Sequence, residues 1–194
     1  AWFLGRNPNK KVMMVSHTTD LAVDFGRKVR NLIATEEYHS IFPTVSLSAD
    51  SKSAGRWNTS MGGEYYACGI GSSIAGRGAD LLLIDDPHSE QDVINGNFGV
   101  FEKAYEWFTF GARTRLMPGG RVAIIQTRWH MDDLTGRVTR DMVNNDLSDQ
   151  YDVVEFPAIL DTSNGEGEPV QKPLWPEFFD MEALLRTKAS MPVF

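Results

Sequence analysis

One cysteine in 194 residues, Cys68, excludes an internal disulfide. Its alternating apolar surroundings suit a free core thiol in a reducing compartment. The chain also lacks long hydrophobic runs: LLLI and VAII are the longest in view, far short of the roughly 20 apolar residues a bilayer-spanning helix needs. No charged-then-apolar leader opens the sequence, so a cytoplasmic location is expected. Basic excess is missing too, with 19 Lys and Arg against 26 Asp and Glu and a formal charge of -7. That balance argues against a compact module holding nucleic acid by bulk charge, so any such contact must be local or lie elsewhere. No Gly-Lys-Ser/Thr closes a phosphate loop, and no internal repeat is visible. The first residue is Ala and the last helical pattern stops without a finish, which reads as a piece of a longer protein.

What is present is enough apolar material, 42 % of residues, for the core of one large domain. KKVMMVSH (10–17) reads as a buried strand, after which Thr18 or Thr19 can cap a helix with Leu21, Phe25, Val29, Leu32 and Ile33 on one face. Gly62 and Gly63 sit between two alternating runs in RWNTSMGGEYYACGI, a hairpin signal. LLLIDD (81–86) is a strand. Phe98, Phe101, Tyr105, Phe108 and Ala112 then recur at helical spacing, in a helix expected to end at MPGG. RVAIIQT predicts another strand and MDDLTGRVTRDMV another helix. Near-continuous aliphatic strands alternating with helices predict an α/β fold, its mostly parallel sheet covered on both faces. Beyond Tyr151, YDVVEFPAI predicts one more strand, DTSNGEGEPVQKP a loop, and Asp180 the cap of a last helix holding Leu184 and Leu185.

Ligands of open α/β sheets sit at the carboxyl ends of the strands. Two strands deliver polar groups there: Asp85 and Asp86 from one, Gln126, Thr127 and Arg128 from the other. Adjacent carboxylates repel unless a cation or shared proton compensates, and Mg²⁺ is a hard, oxygen-seeking solution. An apolar strand ending in an acidic pair has the form of a Walker B element: the first carboxylate serves the metal, the second polarises water. The plainer alternative is a turn at Asp86-Pro87 with Asp85 as a cap. Gly69, Gly71, Gly76 and Gly78 surround Arg77 in a loop that suits inserting a guanidinium beside a neighbouring subunit's phosphate, or simply a solvated arginine. Thr127 and Gln126 can bond a γ-phosphate or the attacking water; alternatively they satisfy backbone at the strand end. Asp132 and Asp133 suit a helix N-terminus. His17, His88 and His130 each lie beside a strand end without ligand-like local spacing.

GIGSSIAGRGADLLLIDDPHSE, followed by RTRLMPGGRVAIIQTRWHMDDLTGRV, FPAI and LWPEFF, resembles the large terminase subunit of tailed bacteriophages, in an order that covers most of the chain. The resemblance implies a RecA-like, additional-strand P-loop NTPase fold without its phosphate loop: residues 1–150 a partial ATPase core, 151–194 leading toward an absent nuclease domain. It implies Asp85 on Mg²⁺, Asp86 where many members have a catalytic glutamate, and Glu90 as the reserve base. Gln126 and Thr127 fall at the motif coupling ATP hydrolysis to DNA movement, and Arg77 at a finger acting across subunits. Implied partners are ATP, Mg²⁺, double-stranded DNA, the procapsid portal protein, the small terminase subunit and further copies in a ring, in the host cytoplasm. Two other readings stand beside it: a metal-dependent phosphoesterase using Asp85, Asp86, His88 and His130, and a non-catalytic docking module for the portal or small subunit.

Overall fold

A computed structural model describes residues 1–51, 53–165 and 167–191. The elements run α1 (Trp2–Arg6), β1 (Lys11–Ser16), α2 (Thr19–Ile33), α3 (Glu36–Ile41), β2 (Arg56–Asn58), β3 (Glu64–Gly69), β4 (Ala79–Asp85), α4 (Glu90–Ile94), α5 (Gly99–Glu106), β5 (Leu116–Ile125), α6 (Leu134–Asn144), β6 (Ile159–Ser163), β7 (Pro169–Pro173) and α7 (Met181–Ser190). They fall into two units, Ala1–Asp149 and Gln150–Phe194.

In the first unit five strands form one sheet in the order β2-β3-β1-β4-β5. β1 pairs in parallel with β3 and β4, and β5 in parallel with β4; only β2 is antiparallel, hairpin-paired to β3. The sheet is therefore mostly parallel and flanked by helices, an α/β arrangement. β1 shows why: KVMMVS is buried at every position after Lys11, as a central strand covered on both faces must be. Alternation sends Val12 and Met14 to one face, into a cluster with Leu4, Ala22, Ile33, Tyr38, Trp57 and Tyr65. Trp57 stacks on Tyr65 at 4.7 Å and donates its indole N–H to the Gly26 carbonyl at 3.2 Å. Further core residues include Met13, Val15, Leu82, Ile84, Phe101, Phe108, Ala112, Leu134 and Val138, all buried.

Local chemistry sets the helix starts. The Thr18 hydroxyl accepts from Leu21 N–H at 3.3 Å, Asp133 from Gly136 N–H at 2.8 Å, and Asp180 from Ala183 N–H at 2.8 Å, each filling one orphan donor of a first turn. Three expectations are corrected. The helix through Phe108 does not end at MPGG: after α5 the chain widens into a π turn, Trp107–Ala112, and a 3₁₀ turn, Arg113–Arg115. Pro118, Gly119 and Gly120 then fall inside β5, where the pairing with β4 shifts register between Ala79 and Leu81. In the second unit the strand starts later than YDVVEFPAI predicts, at Ile159. The polar stretch expected to be a loop is the hairpin β6–β7, closed by Asn164, whose side chain accepts from Glu168 N–H at 2.9 Å. Glu166, inside that stretch, lies outside the described residues.

Candidate functional site

Parallel pairing brings the carboxyl ends of β1, β4 and β5 to one edge. Register pairs Val15 with Ile84 and Asp85 with Ile125, so Ser16 lies level with Asp85, and Gln126 and Thr127 follow beside Asp86. Asp86 ties these three ends together. Its N–H donates to the Ile125 carbonyl at 2.9 Å, its carbonyl accepts from His17 N–H at 3.1 Å, and its Oδ1 accepts from Thr127 N–H at 3.2 Å. To do so it adopts φ +42°, the single positive φ outside glycine among the described residues. That conformation costs a residue with a Cβ some strain, and the restriction imposed by Pro87 adds to it. Strain of this kind persists where the surroundings over-determine it, as they do here from both neighbouring strands.

Asp85 is half-buried, on the same sheet face as Leu81 and Leu83. Burial first, and the Asp86 charge second, push its carboxyl above the ordinary carboxylate range. Either a proton or a nearby cation relieves that combination. At this edge two side chains carry buried polar atoms with no hydrogen-bond partner among the described residues: the Ser16 hydroxyl, level with Asp85, and the Gln126 amide at both its nitrogen and its oxygen, one residue past the register partner of Asp85. Buried polar groups of native proteins are nearly always paired, so this edge is chemically suited to a polar ligand or ordered water. Asp85 and Ser16, level in register, offer oxygen donors of the kind Mg²⁺ takes. Ser16 was not singled out by the sequence; its signal is that it closes a strand parallel to the acidic one.

Glu90 is exposed at the start of α4, one residue after Ser89, whose N–H and hydroxyl both donate to Asp92. The turn therefore does not use Asp85 as its cap.

The histidines have other work. His88 is 3 % exposed; its Nε2 accepts from Leu134 N–H at 3.1 Å, and its ring meets Phe101 edge-on. Burial holds its pKa below the ordinary imidazole value. His130 stacks on Phe101 at 5.3 Å, and its Nδ1 accepts from Asp132 N–H. No group of three or more His, Cys, Asp or Glu side chains able to hold a metal is found among the described residues. The four-residue set Asp85, Asp86, His88 and His130 is thus not gathered into one metal cage.

Behind the site, fully buried Asp133 caps α6. It takes the Arg128 Nε at 2.9 Å and the N–H groups of Trp129 and His130 at 3.1 and 3.4 Å. Gly136 is required beside it, since a Cβ would strike the Met131 carbonyl and lie 2.7 Å from the Arg128 guanidinium. Asp132 instead pairs with Arg140 at 2.8 Å. The helix-terminal reading of both aspartates describes them fully.

Arg77 is elsewhere. It precedes β4 and so lies at the opposite edge of the sheet, a strand's length from Asp85. There its Nη1 meets Glu64 at 3.2 Å and its guanidinium lies 3.7 Å over the Tyr66 ring. Within one chain the structure brings Asp85, Asp86, Gln126 and Thr127 together, places Glu90 in the following turn, and keeps Arg77 apart. Cys68 is a free, buried thiol whose pKa burial pushes up to about 11, which makes it a poor nucleophile.

Comparison with protein-family models gives no match to this chain, and comparison with curated proteins gives none either.

Proposed function

We propose that this chain is part of the ATPase engine of a phage large terminase, in which Mg²⁺-ATP hydrolysis drives double-stranded DNA into a procapsid. The observation that carries the reading is the juxtaposition at one sheet edge: the acidic pair Asp85–Asp86 at the end of β4, hydrogen-bonded through Asp86 to the backbone of Thr127 at the end of β5. A state change felt at the acidic pair has a direct route into the segment after β5, since a shift of Asp86 must move Thr127 or break that bond. In this reading Asp85 holds Mg²⁺, Asp86 or Glu90 polarises the attacking water, and Gln126 and Thr127 contact the terminal phosphate. Bound Mg²⁺ would supply charge neutralisation on the phosphates.

A second feature supports the same reading. β5 is an edge strand. On the face carrying Asp85, α2 packs over β3 and β1 while cover thins toward β5, where Ile125 is 55 % exposed. An added parallel strand with its following helix would pair with that edge, cover that face, and bring its strand-to-helix turn to the acidic residues. A phosphate loop has that form, and its amides and lysine are what the 194 residues lack. Arg77 serves as the finger of a neighbouring subunit only if copies associate head to tail, the amino edge of one facing the acidic edge of the next. Portal protein and small terminase subunit are the partners the reading requires.

The test compares the 194 residues with the chain extended by a phosphate-loop segment. The extended protein should hydrolyse ATP with Mg²⁺ and lose this in Asp85→Ala, whereas the 194 residues alone should not turn over. Robust Mg²⁺-dependent turnover by the short form, abolished by Asp85→Ala, would refute the division of parts. The docking-module reading predicts instead that partner capture survives in an Asp85→Ala, Asp86→Ala double variant while no extension confers hydrolysis.

A further inference from the structure

The amino edge of the sheet carries a cavity of about 80 Å³ lined by Lys11, Arg56, Glu64, Tyr66 and Arg77 together with the glycines flanking Arg77. We propose that it is an oxyanion pocket for a phosphoryl group at the sheet edge opposite the acidic pair; it uses Arg77, given above to a neighbouring subunit's phosphate, but stands on the geometry of this chain alone.

Strand register builds it. Lys11 is paired with Glu64, and Tyr66 with both Met13 and Arg56, so alternation points Lys11, Glu64, Tyr66 and Arg56 to one face. Arg77 enters from the turn before β4, where Gly76 takes φ +73°, a conformation glycine adopts without strain. Counting the adjoining Lys10–Asp80 pair, four cations, Lys10, Lys11, Arg56 and Arg77, meet two carboxylates, Glu64 and Asp80, leaving a local charge of +2 in a chain whose overall charge is -7. Composition alone hides such a spot.

Glu64 organises the two arginines more than it neutralises them. Glu64 Oε1 accepts from Arg77 Nη1 at 3.2 Å and forms an ion pair with Arg56 Nε at the same distance. Each contact engages one corner of a guanidinium that carries five N–H groups in a planar fork. The Tyr66 ring under Arg77 fixes that plane. The fixed Arg77 fork, with Arg56 and Lys11 beside it, matches an oxyanion that accepts bidentate bonds, and for Arg77 little side-chain freedom remains to be lost on binding. The cavity has room for a small tetrahedral oxyanion in place of a few waters. Lys10, just outside, is already committed to Asp80 at 2.7 Å.

Phosphoryl groups reach a protein either on a nucleic-acid backbone or on a small molecule, and one titration series separates these sources. Inorganic phosphate is added at constant ionic strength against chloride, following the amide resonances of Gly76 and Gly78 and the Nε resonances of Arg56 and Arg77. Saturable shifts are expected, with affinity weakened about tenfold or more in Arg56→Gln, since bonds to charged groups are the strong ones. Arg56 is largely exposed, so this variant keeps its fold; Arg77→Lys, which keeps the charge but not the fork, should weaken binding as well. The same titration with a short DNA duplex and with ATP free of Mg²⁺ assigns the source: the ligand binding more tightly than phosphate, and losing that advantage in Arg56→Gln, is the one the pocket takes. No saturable shift with phosphate, or equal shifts in wild type and Arg56→Gln, would overturn the proposal and leave the cluster as an ion-pair network.

Discussion

The two edges of the same sheet are wired in opposite ways. At the carboxyl edge the key polar groups are buried or strained: Asp133 is fully buried under a set of donors, His88 is 3 % exposed, and Asp86 holds a positive φ. At the amino edge the ion pairs, Lys10–Asp80, Arg56–Glu64 and Arg77–Glu64, are shared with solvent, their carboxylates 13 % and 19 % exposed where Asp133 is at 0 %. Buried polar wiring is costly to interrupt because each lost partner strands a desolvated group, whereas an exposed pair exchanges its partner for water. The carboxyl edge is thus fixed in shape, and the amino edge is adjustable in charge.

The contrast is broken most severely at Asp133. Asp133→Ala removes the α6 cap, the Arg128 partner and the acceptor of the Trp129 and His130 N–H groups, and should cost about 3–5 kcal/mol in urea unfolding. Arg56→Gln at the amino edge should cost no more than about 1 kcal/mol. Equal losses at the two positions would erase the distinction between the edges. Next in size is Gly136→Ala. The clash with the Met131 carbonyl, a backbone group with little room to yield, should cost roughly 1–3 kcal/mol even though alanine favours helix.

A third effect depends on pH. His88 is neutral and accepts a hydrogen bond in the fold, and burial lowers its pKa below 6.5. The unfolded chain therefore binds the proton first, and stability is whole above about pH 6.5 and declines as pH falls below it toward the lowered folded value. Urea midpoints between pH 7.5 and 5.5 should show this decline, and His88→Leu should flatten it while lowering stability throughout by orphaning Leu134 N–H. A wild-type profile as flat as the variant's would remove His88 from the buried wiring.

How much of this the sequence discloses follows the range of the interactions. Strands over 81–86 and 121–127 and the caps Thr18, Asp133 and Asp180 are legible, because each rests on neighbours a few residues apart. The π turn at Trp107–Ala112 is not, since its extra residue is invisible in a pattern that still places Phe108 and Ala112 inward. The hairpin of β6 and β7 has no apolar alternation to announce it; polar pairs such as Asp161 with Gln171 hold it together. Ser16 enters the site only through parallel register, a long-range fact no local motif encodes. Conversely, His88 and His130 sit beside acidic residues in sequence but turn to the aromatic side of the sheet, where Phe101 meets both rings.

The smallest predicted effect is at Asp85, and its sign separates a strained functional edge from a merely structural one. Burial and the neighbouring Asp86 raise its pKa above 3.8, so the folded state holds this proton more tightly than the unfolded chain does. That contribution favours the fold at low pH and is lost as pH rises through the raised value. At pH 7 the ionised carboxylate therefore works against folding, and Asp85→Asn, with similar shape and no charge, should be slightly more stable than wild type. An aspartate kept for structure gives the opposite result, as Asp133 should. Millimolar Mg²⁺ should narrow the gap by stabilising the wild type alone, because a cation relieves in the native state what the substitution removes. A destabilised Asp85→Asn would move this residue into the same class as Asp133 and leave the carboxyl edge with no group held at a cost.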